Sequence, residues 1–130
     1  MDGCKNQYTT QGGRITIERT ERLGRYTLVQ TADCFPLGVT TAACALGDFA
    51  TLRRGWRVCD LGCGSGALGL LLLEREPSLT LTGVERNPAA AAVADRNFRE
   101  NGVEGRVCAG DLRDPELLPA GSFDLAVSNP

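Results

Sequence analysis

Apolar and polar residues alternate over Arg14-Ile15-Thr16-Ile17-Glu18, and Arg25-Tyr26-Thr27-Leu28-Val29-Gln30 repeats the alternation after Glu21-Arg22-Leu23-Gly24. The two runs predict a β-hairpin ahead of the main fold. Phe35-Pro36-Leu37-Gly38 breaks that pattern. From Val39 to Leu52 the period becomes helical, with Ala43, Leu46, Phe49 and Ala50 on one side, Arg53 and Arg54 as cations in the last turn and Gly55 as the stop. Trp56 to Leu61 is an apolar strand that runs into Gly62, Gly64 and Gly66 at alternate positions, and Ala67 to Glu76 then carries Leu68, Leu71 and Leu72 in helical register up to Pro77. Thr80 to Glu85 is a second strand ending in an acid. Asn87 caps the next helix, with Pro88 at its first position and Gly102 as the stop after Asn101. Arg106 to Ala109 is a third strand, followed by Gly110-Asp111. Pro115 to Leu118 is at most a turn of helix, Phe123 to Ser128 is a fourth strand, and Asn129-Pro130 ends the sequence.

Strands alternating with helices imply right-handed βαβ units and a parallel sheet. The expected fold is α/β, a Rossmann-like doubly wound sheet in its first half, strand order 3-2-1-4, with an N-terminal β-hairpin extension. The expected division is an extension over residues 1–35 and the sheet domain over 36–130. Ligands of such sheets sit at the carboxyl ends of the strands. Each strand here ends in a candidate: the glycines after the first, Glu85 after the second, Asp111 after the third and Asn129 after the fourth. An acid at a helix edge, a turn aspartate or a loop asparagine is ordinary when it occurs singly. All of them at equivalent ends point to one site.

Composition narrows the chemistry. Of 130 residues, 42% are hydrophobic and 23% charged, which describes an ordinary globular chain with no membrane-spanning run, and the expected location is cytoplasmic. The six cysteines form no Cys-x-x-Cys pair and there is no histidine, so a metal site is not expected and the thiols read as small buried hydrophobes. The missing imidazole also removes the commonest general base. Net charge is −2, but residues 1–30 hold five cations, Lys5, Arg14, Arg19, Arg22 and Arg25, against three acids, Asp2, Glu18 and Glu21. A small basic face of this kind suits a phosphate backbone or simply solvates a hairpin.

The strand, glycine loop and helix fit two cofactor classes. Gly64-x-Gly66-x-x-Gly69 matches the dinucleotide fingerprint, with Glu85 near the position of its ribose acid. Asp60, Gly62, Gly64 and Gly66 equally match the Asp-x-Gly-x-Gly-x-Gly loop of S-adenosylmethionine-dependent methyltransferases. Asp60 discriminates, because a carboxylate just before the loop repels a pyrophosphate and can receive an ammonium group.

The segment from about Tyr26 to Pro130 resembles the first half of a class I methyltransferase, and within that group the bacterial enzymes that methylate adenine N6 in the tRNA specific for valine. Gln30, Phe35, Asp60 to Gly66, Gly83-Val84-Glu85, Gly110-Asp111 and Asp124 to Pro130 carry the resemblance. It implies S-adenosyl-L-methionine as cofactor, held by Asp60, Gly62, Cys63, Gly64, Gly66, Glu85, Arg86, Asp111 and Leu112. By the same resemblance Glu85 takes the ribose hydroxyls, Asp111 and the Leu112 N–H take the adenine edge, and Asn129 and Pro130 hold the target amine. The implied partner is RNA, specifically tRNA. The last motif continues Asn-Pro-Pro-Tyr in these enzymes and is shared with those that methylate glutamine in release factors. Protein glutamine is therefore one alternative, and a non-catalytic module binding a nucleoside cofactor is another.

Three departures from the pattern bear on function. Arg86 stands where the family often has an apolar residue, so it swings away or stacks by its guanidinium plane. Thr40 and Thr41 stand where relatives often carry Asp. The second proline and the aromatic residue of the last motif do not follow Pro130, from which the expectations are that the chain as given is inactive and that the outer edge of its last strand pairs with a second copy or is covered by the hairpin.

Overall fold

The computed structural model describes residues 5–34 and 38–130. Cys4, Phe35, Pro36 and Leu37 therefore lie outside the described residues, as does the boundary expected at residue 36. Strands β1 (Lys5–Gln11), β2 (Arg14–Leu23) and β3 (Tyr26–Thr31) form an antiparallel meander. They are followed by α1 (Thr41–Phe49), β4 (Arg57–Leu61), α2 (Ala67–Arg75), β5 (Thr80–Glu85), α3 (Pro88–Glu100), β6 (Gly105–Ala109) and β7 (Leu125–Ser128). The second sheet is wholly parallel in the order β6-β5-β4-β7, which is the expected 3-2-1-4.

The central strands β4 and β5 are buried on both faces, with Val58 and Val84 fully enclosed and Cys59 and Leu81 nearly so. This is why they read as continuous apolar runs. Because β4, β5 and β6 step in one direction, right-handed crossovers put α2 and α3 on the same face. Their contact confirms it: Phe98 of α3 lies against Gly66 and Gly69, and a Cβ on Gly69 would come within 2.8 Å of Leu81 on the sheet below. Leu23 and Leu28 of the meander join this core together with Val58, Leu70, Leu81 and Phe98.

Several elements differ from expectation. The hairpin is a three-stranded meander, because β1 pairs with β2 from Lys5 opposite Thr20 to Gln11 opposite Arg14. Its sequence, KNQYTTQ, is polar on both faces, so no alternation announces it. Helix α1 is shorter than Val39 to Leu52. Thr40 starts it by accepting the Ala43 N–H at 3.1 Å, and Phe49 at its end is 86% exposed, while Ala43, Gly47 and Ala50 face inward. Arg53 and Arg54 lie past its end. The cation at its last carbonyls is Arg75 of α2, which donates to the Gly47 carbonyl and, at 2.8 Å, to that of Ala50. Pro115 to Leu118 is a turn without a helix, within the expectation of at most one turn, and β7 starts at Leu125, not Phe123. Cys34, Cys59 and Cys63 are buried, Cys108 is half-buried and Cys44 is exposed.

The meander packs on α2 and α3, and β7 pairs with β4 alone among the described strands. The hairpin therefore does not cover the last strand, because the edge of β3 is already taken. Thr27 and Val29 offer their backbone N–H and C=O groups to the side-chain amides of Asn101 and Asn97 on α3. Val127 nevertheless keeps its cover, at 6% exposure.

Candidate functional site

Where β4 ends, the chain turns back on β5: the Gly62 and Cys63 N–H groups both donate to the Val84 carbonyl, at 2.8 and 2.9 Å. Gly66 then starts α2 at φ +89°, a left-handed conformation that glycine adopts without strain. A Cβ on Gly62 or Gly64 would meet nothing within 4 Å. The floor of the cleft is bare backbone, and a ligand can approach it closely. Two pockets share Gly62. One is lined by Asp60, Gly62 to Ser65, Gln30, Thr40 and Asn129 among others, and the other by Val84, Glu85, Arg86, Gly110, Asp111 and Leu112.

Carboxylates dominate this cleft. Asp60 is 4% exposed and lines the first pocket. Burial, and then the nearby Glu85, push its pKa from 3.8 up to about 7. Burial, and then the charges of Asp60 and Glu85, push the Cys63 thiol far up, so Cys63 is a neutral wall of the pocket, lying against Gly83. Glu85 Oε2 accepts the Gly64 N–H at 2.9 Å and Oε1 the Asn87 N–H at 3.2 Å. Each carboxylate oxygen retains acceptor capacity toward the second pocket. A buried acid lining the cleft and a second acid beside an open backbone cradle fit a cationic ligand with hydroxyl groups. They do not fit a pyrophosphate.

Arg86, Asp111 and Leu112 come together in the second pocket. Leu112 is 51% exposed there. The Asp111 carboxylate is held by Arg113, whose guanidinium lies 2.6 Å from Oδ2 and whose backbone N–H donates to Oδ1 at 2.9 Å. Arg86 stands 4.0 Å away with its side chain largely in solvent. The Arg113 partnership holds the Asp111 carboxyl well below the usual carboxylate range.

Asn129 reaches the first pocket because β7 is fixed at both ends. At its start the Asp124 N–H donates to the Arg57 carbonyl, while Asp124 Oδ2 accepts the Arg57 N–H, both at 2.8 Å. At its finish the Ser128 hydroxyl donates to the Leu61 carbonyl at 3.0 Å. Pro130 follows Asn129 directly at this rim.

Gln30, Ser65, Asn97 and Arg113, outside the site residues expected from the sequence, shape the site. Gln30 bridges its two walls, donating to Ser65 Oγ at 2.9 Å and accepting the Gly38 N–H at 2.5 Å. Asn97 donates to the Ser65 carbonyl at 2.8 Å. Arg113 holds Asp111 as described. Among the described residues no three His, Cys, Asp or Glu side chains gather as a metal site, and no helix is long and apolar enough to cross a membrane.

Comparison with known proteins agrees with this geometry. The Methyltransferase small domain family matches residues 42–130. The chain belongs to this family. It is 36% identical over 117 residues to the tRNA1(Val) (adenine(37)-N6)-methyltransferase of Serratia proteamaculans, an alignment covering 85% of this chain and 45% of the relative. It is 43% identical over 107 residues to the release factor glutamine methyltransferase of Rhodospirillum rubrum, covering 82% of this chain and 33% of that one. Among solved structures, the TehB-like SAM-dependent methyltransferase of Corynebacterium glutamicum superposes with a TM-score of 0.54 at 28% identity, over 72% of this chain and 47% of that one. The chain thus spans less than half the length of these relatives. S-adenosylmethionine is the cofactor of this methyltransferase lineage, and the buried Asp60 carboxylate, the backbone cradle and Glu85 all fit it.

Proposed function

We propose that the chain forms the cofactor-binding and target-presenting part of an enzyme that methylates adenine N6 in RNA, with tRNA as substrate. Residues 36–130 hold the cofactor and residues 1–35 form an extension beside it. The observation that carries this reading is that Asn129 lines the same pocket as Asp60 and the loop from Gly62 to Ser65. An amine held at Asn129 then faces whatever the glycine loop holds. S-adenosylmethionine supplies an electrophilic methyl group on sulfur.

The chain's own groups account for the rest. Asp60 receives the ammonium of the cofactor's amino-acid end. Glu85 accepts from the two ribose hydroxyls, and Asp111, with the Leu112 N–H, meets the adenine edge once Arg113 gives way. At the target, the Asn129 side-chain oxygen and the Pro130 carbonyl each accept one N–H of an exocyclic amine. Both bonds draw the nitrogen lone pair out of conjugation and aim it across the pocket. No imidazole is needed, which suits a chain without histidine.

A second reading, methylation of a protein glutamine, is favoured by the 43% identity to the release factor enzyme. The two share the chemistry at Asn129 and differ in what surrounds the target amide or amine. A chimera continuing this chain after Pro130 with the C-terminal half of the Serratia relative separates them. Given tritiated S-adenosylmethionine, it is expected to yield N6-methyladenosine in unmodified tRNA. Label in release factor glutamine, with none in tRNA, supports the second reading instead.

A further inference from the structure

The strand register places Tyr8 and Gln30 on one face of the meander. Residues opposite each other in antiparallel strands share a face, and side chains alternate along each strand. Asn6, Arg19 and Gln30 therefore form one cross-strand row, and Tyr8 and Ile17 lie in the next row on that face. Gln30 is buried and lines the pocket that contains Asn129. Strand β3 ends one residue past it, whereas β2 passes that level at Arg19 and continues another five residues to Arg14. At about 3.4 Å per residue, the ribbon of β1 and β2 stands roughly 17 Å beyond the pocket wall. Two strand spacings across and two residues along put Tyr8 about 12 Å from Gln30. That is within reach of a nucleotide flanking one whose base occupies the pocket.

The chemistry of the ribbon suits a nucleic acid. Tyr8 is 69% exposed, although most large apolar side chains of this chain are enclosed. Between Lys5 and Ile17 the sequence carries two cations and no carboxylate, in a chain whose net charge is −2. The first acid beyond, Glu18, is neutralised by Arg96 at 3.1 Å. The remaining side chains are mostly amides and hydroxyls. An exposed ring is a stacking platform, and Arg19, one row along on the same face, supplies a cation for a phosphate, whereas Lys5 lies on the reverse face.

We infer that the ribbon of β1 and β2 is an RNA-docking arm, in which Tyr8 stacks on a base flanking the adenine presented to Asn129. This rests on the RNA reading above and deepens it. The occupant is an unpaired stretch of RNA, since stacking on Tyr8 needs a base face that a duplex keeps covered.

The test is fluorescence anisotropy with a fluorescein-labelled RNA stem-loop carrying an unpaired adenine in its loop, titrated with the chain in the presence of S-adenosylhomocysteine. Tyr8→Ala is expected to weaken RNA binding about tenfold while Tyr8→Phe stays near wild type, and the affinity for S-adenosylhomocysteine should be the same in all three. In Tyr8→Trp the new indole should be quenched on RNA addition. Arg19→Gln should lower the slope of log affinity against log salt. Equal RNA binding by wild type and Tyr8→Ala, or no quenching in Tyr8→Trp, overturns the arm while leaving the RNA reading intact. Absence of RNA binding by the wild type, with binding of a release factor fragment in its place, overturns both.

Discussion

Asn97 of α3 and Val29 of β3 are joined by two hydrogen bonds, the Val29 N–H donating to Oδ1 and Nδ2 donating to the Val29 carbonyl, each at 2.8 Å. The side-chain amide thus does for Val29 what a neighbouring strand would do. One helical turn later Asn101 repeats the arrangement with Thr27, at 2.9 and 2.8 Å. Residues two apart on a strand edge and four apart on a helix have similar spacings, so α3 closes the edge of the meander. Nδ2 of Asn97 also reaches the Ser65 carbonyl, which links that closure to the cofactor loop.

Replacing Asn97 should therefore be costly. Asn97 is fully buried, and Asn97→Leu would leave the Val29 N–H, the Val29 carbonyl and the Ser65 carbonyl without partners. At about 1–3 kcal/mol for each unsatisfied buried group, the loss should be at least ~3 kcal/mol. Asn101→Leu, at a half-buried site, should cost about half of that. Urea denaturation of the variants checks both, and a loss below ~1 kcal/mol for Asn97→Leu would contradict the edge-closing role.

Much of the fold was legible because its central strands are buried on both faces and its helices carry ordinary caps. Asn87 accepts the Ala89 N–H at 3.0 Å, and Thr80 to Glu85 is a strand from end to end, as the sequence indicates. The glycine loop and the acids at the strand ends were legible for the same reason: they interrupt apolar runs. What escaped is what hydrophobic patterning does not encode. Strand β1 has solvent on much of its surface and so carries no period. Asn97 and Asn101 fall on the stripe of α3 occupied by Ala90, Ala94 and Phe98, and a polar residue at such a position signals a buried partner without naming it. The grip of Arg113 on Asp111 depends on a loop turn that local sequence does not fix.

Asp60 makes stability depend on pH. Its folded pKa is raised, from 3.8 to about 7, so between these values the folded state holds a proton that the unfolded chain releases. Stability is then highest at the acid end of this window and falls as pH rises through it, by an amount on the order of a few kcal/mol. Asp60→Asn should remove most of that slope and exceed the wild type in stability at pH 8. Thermal denaturation from pH 4 to 8 measures it, and a wild-type stability that climbs across this window would exclude the assigned environment of Asp60.

A cationic ligand should reverse the sign for binding. An ammonium beside Asp60 favours the ionised carboxylate, so affinity for S-adenosylhomocysteine should increase as pH rises toward about 7, with release of a proton. Calorimetry in two buffers of different ionisation enthalpy at pH 6 reads that proton directly. Identical heats in the two buffers would mean that Asp60 does not face the ammonium.

Arg113 should restrain the cofactor site. Arg113→Ala frees Asp111, whose carboxyl should move back up toward its ordinary value, and affinity for S-adenosylhomocysteine should rise a few-fold. Asp111→Ala should lower it. Titration calorimetry of both variants provides the check, and weaker binding by Arg113→Ala would show that this arginine holds the ligand instead of competing for Asp111.

The most direct test of the site is calorimetric titration of wild type and Glu85→Ala with S-adenosylhomocysteine and with NAD. Glu85 offers two oxygens to the ribose and also holds the Gly64 N–H at 2.9 Å, so its removal should weaken binding more than that of Asp111 does. The expected result is one site for S-adenosylhomocysteine in the wild type, at least tenfold weaker binding in Glu85→Ala for a loss of two charge-assisted hydrogen bonds, and no heat with NAD. Binding of NAD in its place, or equal binding of S-adenosylhomocysteine by wild type and Glu85→Ala, would contradict the account.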